Sequence, residues 1–176
     1  WRLLGWISFG EGNYYKMNLR LADELTIKLI EGLPEDAVPV SEVFINGAPT
    51  GKRVSGALLA AAVQWQDKYL LLTTDDCPFE EFLGIRLFDS EFNLLDSASI
   101  GTIYNTGMFS SLALHEPNTV SFLFIGETIW RIELLLKPGF RVPFFTEPHG
   151  VWRDLSFHRH FIVHGNPQRQ PRAKLK

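Results

Sequence analysis

Val120-Ser-Phe-Leu-Phe-Ile-Gly-Glu-Thr-Ile-Trp-Arg-Ile-Glu-Leu-Leu-Leu136 is the stretch that decides the fold. Val120, Phe122 and Phe124 fall on one side of an extended chain. Trp130, Ile132, Leu134 and Leu136 share one side of the next run, with Arg131 and Glu133 opposite. Strand side chains alternate between faces with period two, so these neighbouring runs can lay a single apolar wall. Gly126-Glu127 between them is a two-residue hairpin candidate, with glycine where a type II′ turn wants it.

The same rhythm extends in both directions. Residues 69–74, 83–88, 94–100, 109–114 and 155–163 are short runs rich in β-branched and aromatic residues. They are separated by Asp-Ser-Glu-Phe-Asn, Tyr-Asn-Thr-Gly, Glu-Pro-Asn and Lys-Pro-Gly, which are turn chemistry. Strands spaced about ten residues apart by such turns predict a mainly β fold, an antiparallel sandwich or open barrel with little helix. Towards the N-terminus, Leu3 to Phe9 reads as a strand. Leu19 to Ile30 fits either a helix, through Leu21, Leu25 and Leu29, or two strands around Ala22-Asp23-Glu24; the alternation favours a hairpin. Residues 33–39 are a connection. Asn46-Gly47 suits a type I′ turn, although Pro49 and Gly51 are also compatible with a wider loop. Residues 56–65, a strand or short helix, precede a Gln66-Asp67 turn that favours a hairpin with 69–74.

The chain has 176 residues, 45% of them hydrophobic and 21% charged, with a single cysteine. That is enough for one domain without disulfides, assigned to residues 1–164, with a basic and disordered tail over 165–176. No apolar run reaches the roughly 20 residues of a membrane helix. The last eight residues hold four bases and no acid. The 17 bases and 20 acids of the chain therefore leave 13 against 20 in residues 1–168, a balance of −7. An acidic body argues against nucleic acid as partner, because phosphate binders carry basic patches. The lone Cys77 and the acidic body point to a reducing compartment, the cytoplasm.

Four of the five histidines, His149, His158, His160 and His164, lie near the C-terminus. On a strand, His158, His160 and His164 share a face, and residues two apart sit about 6.6 Å apart, a span that one metal can bridge. A His-x-His pair on a β scaffold invites comparison with cupin metal sites. No Asp or Glu follows Asp154 to supply the acidic ligand of that pattern. A metal-dependent β-barrel enzyme using these histidines is one reading, and a solvent-facing polar strand is the other. Cys77 stands among Asp75, Asp76, Glu80 and Glu81, where negative charge suppresses a thiolate, so it is not read as a nucleophile. No nucleophile elbow or phosphate-binding glycine loop occurs. No catalytic residue and no cofactor are therefore assigned. A small-ligand binder with an apolar barrel cavity is a further reading, from the aromatic content.

The four carboxylates within Asp75–Glu81, between two strand-like runs, lack the spacing of a calcium loop. They suit either a solvated loop or a contact patch for a basic partner. Exposed turn aromatics would anchor such a contact, with Phe79 and Tyr104 chosen over Tyr14, Tyr15 and Phe92.

The run Tyr69-Leu-Leu-Leu-Thr-Thr-Asp-Asp-Cys-Pro-Phe-Glu-Glu-Phe-Leu-Gly-Ile-Arg-Leu-Phe-Asp89, with Asn93-Leu-Leu-Asp-Ser-Ala98, Tyr104-Asn-Thr-Gly-Met-Phe109 and Val120-Ser-Phe-Leu-Phe124, resembles small bacterial immunity proteins. Those proteins are encoded beside toxins of polymorphic, contact-dependent or type VI secretion systems. The resemblance spans residues 69–136 and rests on structural patterns. It implies a cytoplasmic, non-enzymatic protein that binds one cognate toxin and occludes its active site or substrate path. No contact residue transfers by position. The partner-binding set Asp75, Asp76, Glu80, Glu81, Phe79 and Tyr104 rests on charge and loop placement. Oligomeric state is left open.

Overall fold

The computed structural model describes residues 18–34, 37–77, 81–102, 107–142 and 146–166. Among them 60% of residues are strand and 1% helix, in three antiparallel sheets, none closed into a barrel. The strands are β1 (Leu19–Leu21), β2 (Leu25–Leu29), β3 (Val40–Ile45), β4 (Ala48–Ser55), β5 (Leu58–Trp65), β6 (Lys68–Thr74) and β7 (Leu83–Phe88). They continue with β8 (Leu94–Ile100), β9 (Ser110–His115), β10 (Thr119–Leu123), β11 (Ile129–Phe140), β12 (Val151–Trp152) and β13 (His158–His164). A six-stranded sheet runs β1-β5-β6-β7-β8-β12. A four-stranded sheet runs β13-β11-β10-β9, and a three-stranded one β2-β3-β4.

The six-stranded sheet is the middle layer. Its inner face contributes Val63, Trp65, Leu70, Leu72, Ile85 and Leu87 to the main core. The four-stranded sheet meets it with Val120, Phe122, Trp130, Ile132, Leu134, Phe161 and Val163. The wall expected over 120–134 is this face. Both buried indoles keep a hydrogen bond, Trp65 Nε1 donating to Pro117 O (2.9 Å) and Trp130 Nε1 to Ile125 O (3.2 Å), as buried tryptophans require. The three-stranded sheet covers part of the opposite face, where Leu25, Val43 and Val54 pack with Ala62, Leu71, Phe88 and Phe92. A strand apolar on both faces is one covered on both sides. That is why Leu70-Leu71-Leu72 on β6 are consecutive leucines, each fully buried.

Several sequence expectations need correction. Leu19–Leu21 and Leu25–Leu29 are strands but do not form a hairpin: β1 pairs with β5, and β2 with β3. The turn at Ala22–Glu24 is a corner at which the chain changes sheets, with Ala22 buried between them. The β10–β11 connection is not a two-residue turn. Leu123 pairs with Ile129 across a five-residue link in which Gly126, at φ +70°, breaks the helical turn over Ile125–Glu127. Ile125 is thereby turned into the core. Leu136 leaves the apolar face because the β11–β13 register shifts between Leu134 and Gly139, and it is exposed. The last strand begins at His158, three residues later than expected, leaving Leu155 and Phe157 exposed.

Asn46 and Gly47, at φ +49° and +77°, close the two-residue β3–β4 turn. Positive φ at both centres is the type I′ requirement. Residues 58–65 are strand and pair with β6 through the Gln66-Asp67 turn. The 3–9 strand and tail residues 167–176 lie outside the described residues.

Candidate protein-binding surface

The acidic run sits on the loop joining β6 to β7. Thr74 pairs with Leu83, so Asp75 and Glu81 extend from adjacent strands at one end of the middle sheet. Asp76 adopts φ +58°, and its amide donates to Glu81 Oε1 over 3.1 Å. This bond ties Asp76, and with it the adjoining Asp75, to Glu81 across the base of the loop. Asp76 is exposed, Asp75 and Glu81 are half-buried, and Cys77 is exposed and free. Phe79, Glu80 and Tyr104 lie outside the described residues.

Burial raises the pKa of Asp75, and the nearby Glu81 raises it further, against the pull of Arg86. Between the ordinary carboxylate value and the raised one, the folded chain binds more protons than the unfolded chain, so stability falls as pH rises through that window. Replacing Asp75 with Asn removes a charge the fold disfavours. The variant is expected to melt at a higher temperature than the parent near pH 7, with the gain vanishing near pH ~3, where the aspartate is protonated in both states. Thermal melts at the two pH values check this. An equal gain at both would assign the effect to packing.

Three residues below this loop, a cross-strand row on the outer face of the middle sheet turns from apolar to polar. In register, Ala62 and Leu71 are followed by Arg86 and then Ser97. The change from apolar to polar falls at the margin of the three-stranded sheet, whose β4 ends beside Arg86. Arg86 Nη2 donates to Ser55 Oγ (2.6 Å) on the last residue of β4, and Nη1 to Ala98 O (3.1 Å). Burial lowers the Arg86 pKa, while Asp154 and Asp75 oppose that shift. Ser97 Oγ donates to Asp154 Oδ2 at 3.5 Å. Arg86 thus lies in the fields of the acidic loop and of the β12–β13 connection.

Beneath that connection lies a buried ionic quartet. Asp96 points inward from β8, on the same face as Ala98 and Ile100, and Arg159 points inward from β13, alternating with Phe161 and Val163. Arg153 Nη1 reaches both Asp96 oxygens at 3.1 Å, and Nη2 donates to Phe161 O (3.0 Å). Its guanidinium carbon lies 4.2 Å from the Phe161 ring centroid. Arg159 Nη1 is 3.6 Å from Asp96 Oδ1. Asp96 also accepts from the amides of His160 and Ser97, both at 2.8 Å. Glu147 Oε1 lies 3.1 Å from Arg153 Nε, a contact not aligned as a hydrogen bond, and 3.9 Å from Arg159 Nε. Burial pushes the Arg153 pKa down, while Asp96 and Glu147 raise it. Two acids and two bases leave the quartet without net charge.

Above the quartet a hollow of about 150 Å³ opens to solvent, bordered by Leu94, Ser97, Asp154, Ser156 and His158 over Asp96 and Arg159. Small-molecule sites usually span about 300–1,000 Å³, whereas about 150 Å³ accommodates one ring-sized group. Beside it the exposed rings of Phe140 and Phe157 stack, centroids 5.9 Å apart, and His158 meets Phe140 edge-on at 6.5 Å. Leu94, Trp152 and Leu155 are also exposed in this part of the chain. Apolar surface of this kind commonly marks a binding site. A second hollow, about 330 Å³ and lined by Leu21, Leu25, Leu59, Ala60 and Leu112 among others, opens beside β1.

The histidines are placed separately. His158, His160 and His164 do share the outward face of β13. His164 Nε2 lies 3.0 Å from Glu133 Oε2, and His149 is exposed in a turn before β12. Among the described residues no three His, Cys, Asp or Glu side chains converge to hold a metal. Phe92 is buried and stacks on Tyr69 with centroids 5.2 Å apart, so it is core. The sequence reading did not single out Asp96, Arg153, Asp154, Arg159, Phe140 or Phe157. For Asp96 and Arg159 a signal existed, since each alternates with apolar residues on its strand. Comparisons with protein-family models, with curated proteins and with solved structures each found no match.

Proposed function

We propose that this protein is an immunity protein that binds a cognate secreted bacterial toxin in the bacterial cytoplasm and occludes its active site or substrate path, without catalysing a reaction. The observation that supports the reading most is the β6–β7 loop, where the Asp76–Glu81 hydrogen bond gathers three carboxylates at the sheet end. A half-buried Asp75 with a raised pKa beside Glu81 gains from a cationic neighbour, because positive charge favours the ionised form that the free protein disfavours. A toxin whose cleft is basic supplies that charge. Complementary charge of this sort speeds encounter and selects the partner more than it adds affinity.

The test is association kinetics with the inactivated product of the toxin gene expected beside this one. Replacing Asp75, Asp76, Glu80 and Glu81 with Lys should slow association about tenfold or more at low salt and flatten its salt dependence. An unchanged rate would remove the loop from the interface, and absence of any complex with the parent chain would overturn the reading.

A further inference from the structure

We infer that the hollow between the start of β8 and the β12–β13 connection is a socket for one arginine side chain of a basic protein partner. This deepens the protein-binding reading above and rests on it. Size comes first. At about 150 Å³ the hollow suits a single side chain better than a free metabolite.

Charge comes second. The quartet below is internally neutralised, its two guanidinium groups held by Asp96 and Glu147. The exposed Asp154 therefore sets the sign at the mouth. Its Oδ2 and Ser97 Oγ are 3.5 Å apart, two acceptors that a planar guanidinium can bridge with parallel N–H groups, as a lysine ammonium cannot. Asp154, Asp75 and Glu81 together outnumber Arg86, the cation coupled to Asp154 and Asp75, so the charge balance of these groups favours a basic partner.

The walls come third. Leu94 offers apolar contact to the methylene stem, and His158 lines the hollow with its ring against Phe140 of the exposed Phe140–Phe157 stack, so the rim beside the hollow offers aromatic surface to a cation. The position is also preorganised. Arg153 ties Asp96 to Phe161 O, and Asp96 accepts the His160 amide, so the β8 and β13 walls are fixed to each other before anything binds. Binding to a preorganised socket loses less entropy than ordering one.

The test is titration of the ¹⁵N-labelled full chain with N-acetyl-arginine amide, with the neutral isostere N-acetyl-citrulline amide as comparison. Saturable shifts at the Ser97, Asp154 and His158 amides are expected with arginine and not with citrulline. Asp154→Asn should weaken that binding about tenfold, the size of one charge-assisted hydrogen bond, while Asp67→Asn, in the exposed β5–β6 turn, leaves it unchanged. No saturable shift, or an equal response to citrulline, would overturn the socket. So would self-association that Phe157→Ala abolishes with no arginine response, since the occupant would then be a second copy of the chain. With the toxin in hand, Asp154→Asn and Phe157→Ala should hasten dissociation, and unchanged dissociation would overturn the socket while leaving the immunity reading in place. Arginine binding without a toxin complex would do the reverse: the socket would stand and the immunity reading would fall.

Discussion

Replacing Asp96 with Asn is expected to destabilise the fold by about 3–5 kcal/mol, read as a fall in the denaturant midpoint. The carboxylate is 4% exposed and serves Arg153, Arg159 and two amides at once. Asn keeps the volume but removes the charge, leaving two buried guanidinium groups with only Glu147 between them. A loss of that size is a large part of the roughly 5–15 kcal/mol that holds a domain together, so the variant should also express poorly. A second variant separates the cost of breaking the network from the value of having it. Asp96→Asn combined with Arg153→Met, Arg159→Met and Glu147→Leu removes all four charges and keeps an amide oxygen as acceptor for the backbone N–H groups that Asp96 serves. Burying ions costs desolvation that their attraction repays only in part, so this variant should recover most of the lost stability. If it is as unstable as Asp96→Asn, the quartet is a net source of stability and not chiefly a device that pins β8 to β13.

The reach of sequence reasoning follows from which forces are local. Period-two alternation lies within one strand, so the runs at 69–74, 83–88, 94–100 and 120–134 could be read directly, and the turn at Asn46-Gly47 is written in two residues. Pairing between distant strands is not local. Leu19–Leu29 reads as two strands around a turn, yet whether they pair depends on the edges of β5 and β3, which no local pattern encodes. The same limit explains the functional surface. The acidic loop is contiguous in sequence and was visible there. The hollow is built from residues 94–97 and 154–159, brought together only by the packing of two sheets. Asp96 and Arg159 were nonetheless within reach. Each is a charge on the inward side of an apolar alternation, and opposite charges on the inward faces of two strands need each other. Taken as a pair, the two charges place β8 against β13.

Leu71→Ala and Leu72→Ala should each cost about 2–5 kcal/mol, though the two side chains point in opposite directions. Both are fully buried, Leu72 in the main core and Leu71 under the three-stranded sheet. In a two-layer sandwich only one of two neighbouring residues would be covered, and the other would tolerate truncation within about 0.5 kcal/mol. The two losses can be traced to their layers with Val43→Ala, on β3, whose side chain shares a cluster with Leu71 and not with Leu72. Residues packed in one cluster couple by about 0.5 kcal/mol or more, and independent sites add. A double-mutant cycle in urea should therefore show coupling between Val43 and Leu71 and additivity between Val43 and Leu72. Additivity in both cycles would mean that the three-stranded sheet does not seal the outer face of β6. Arg86 would then no longer mark the margin of a covering sheet, and the polar end of the row, from Arg86 to Ser97, would lose its edge.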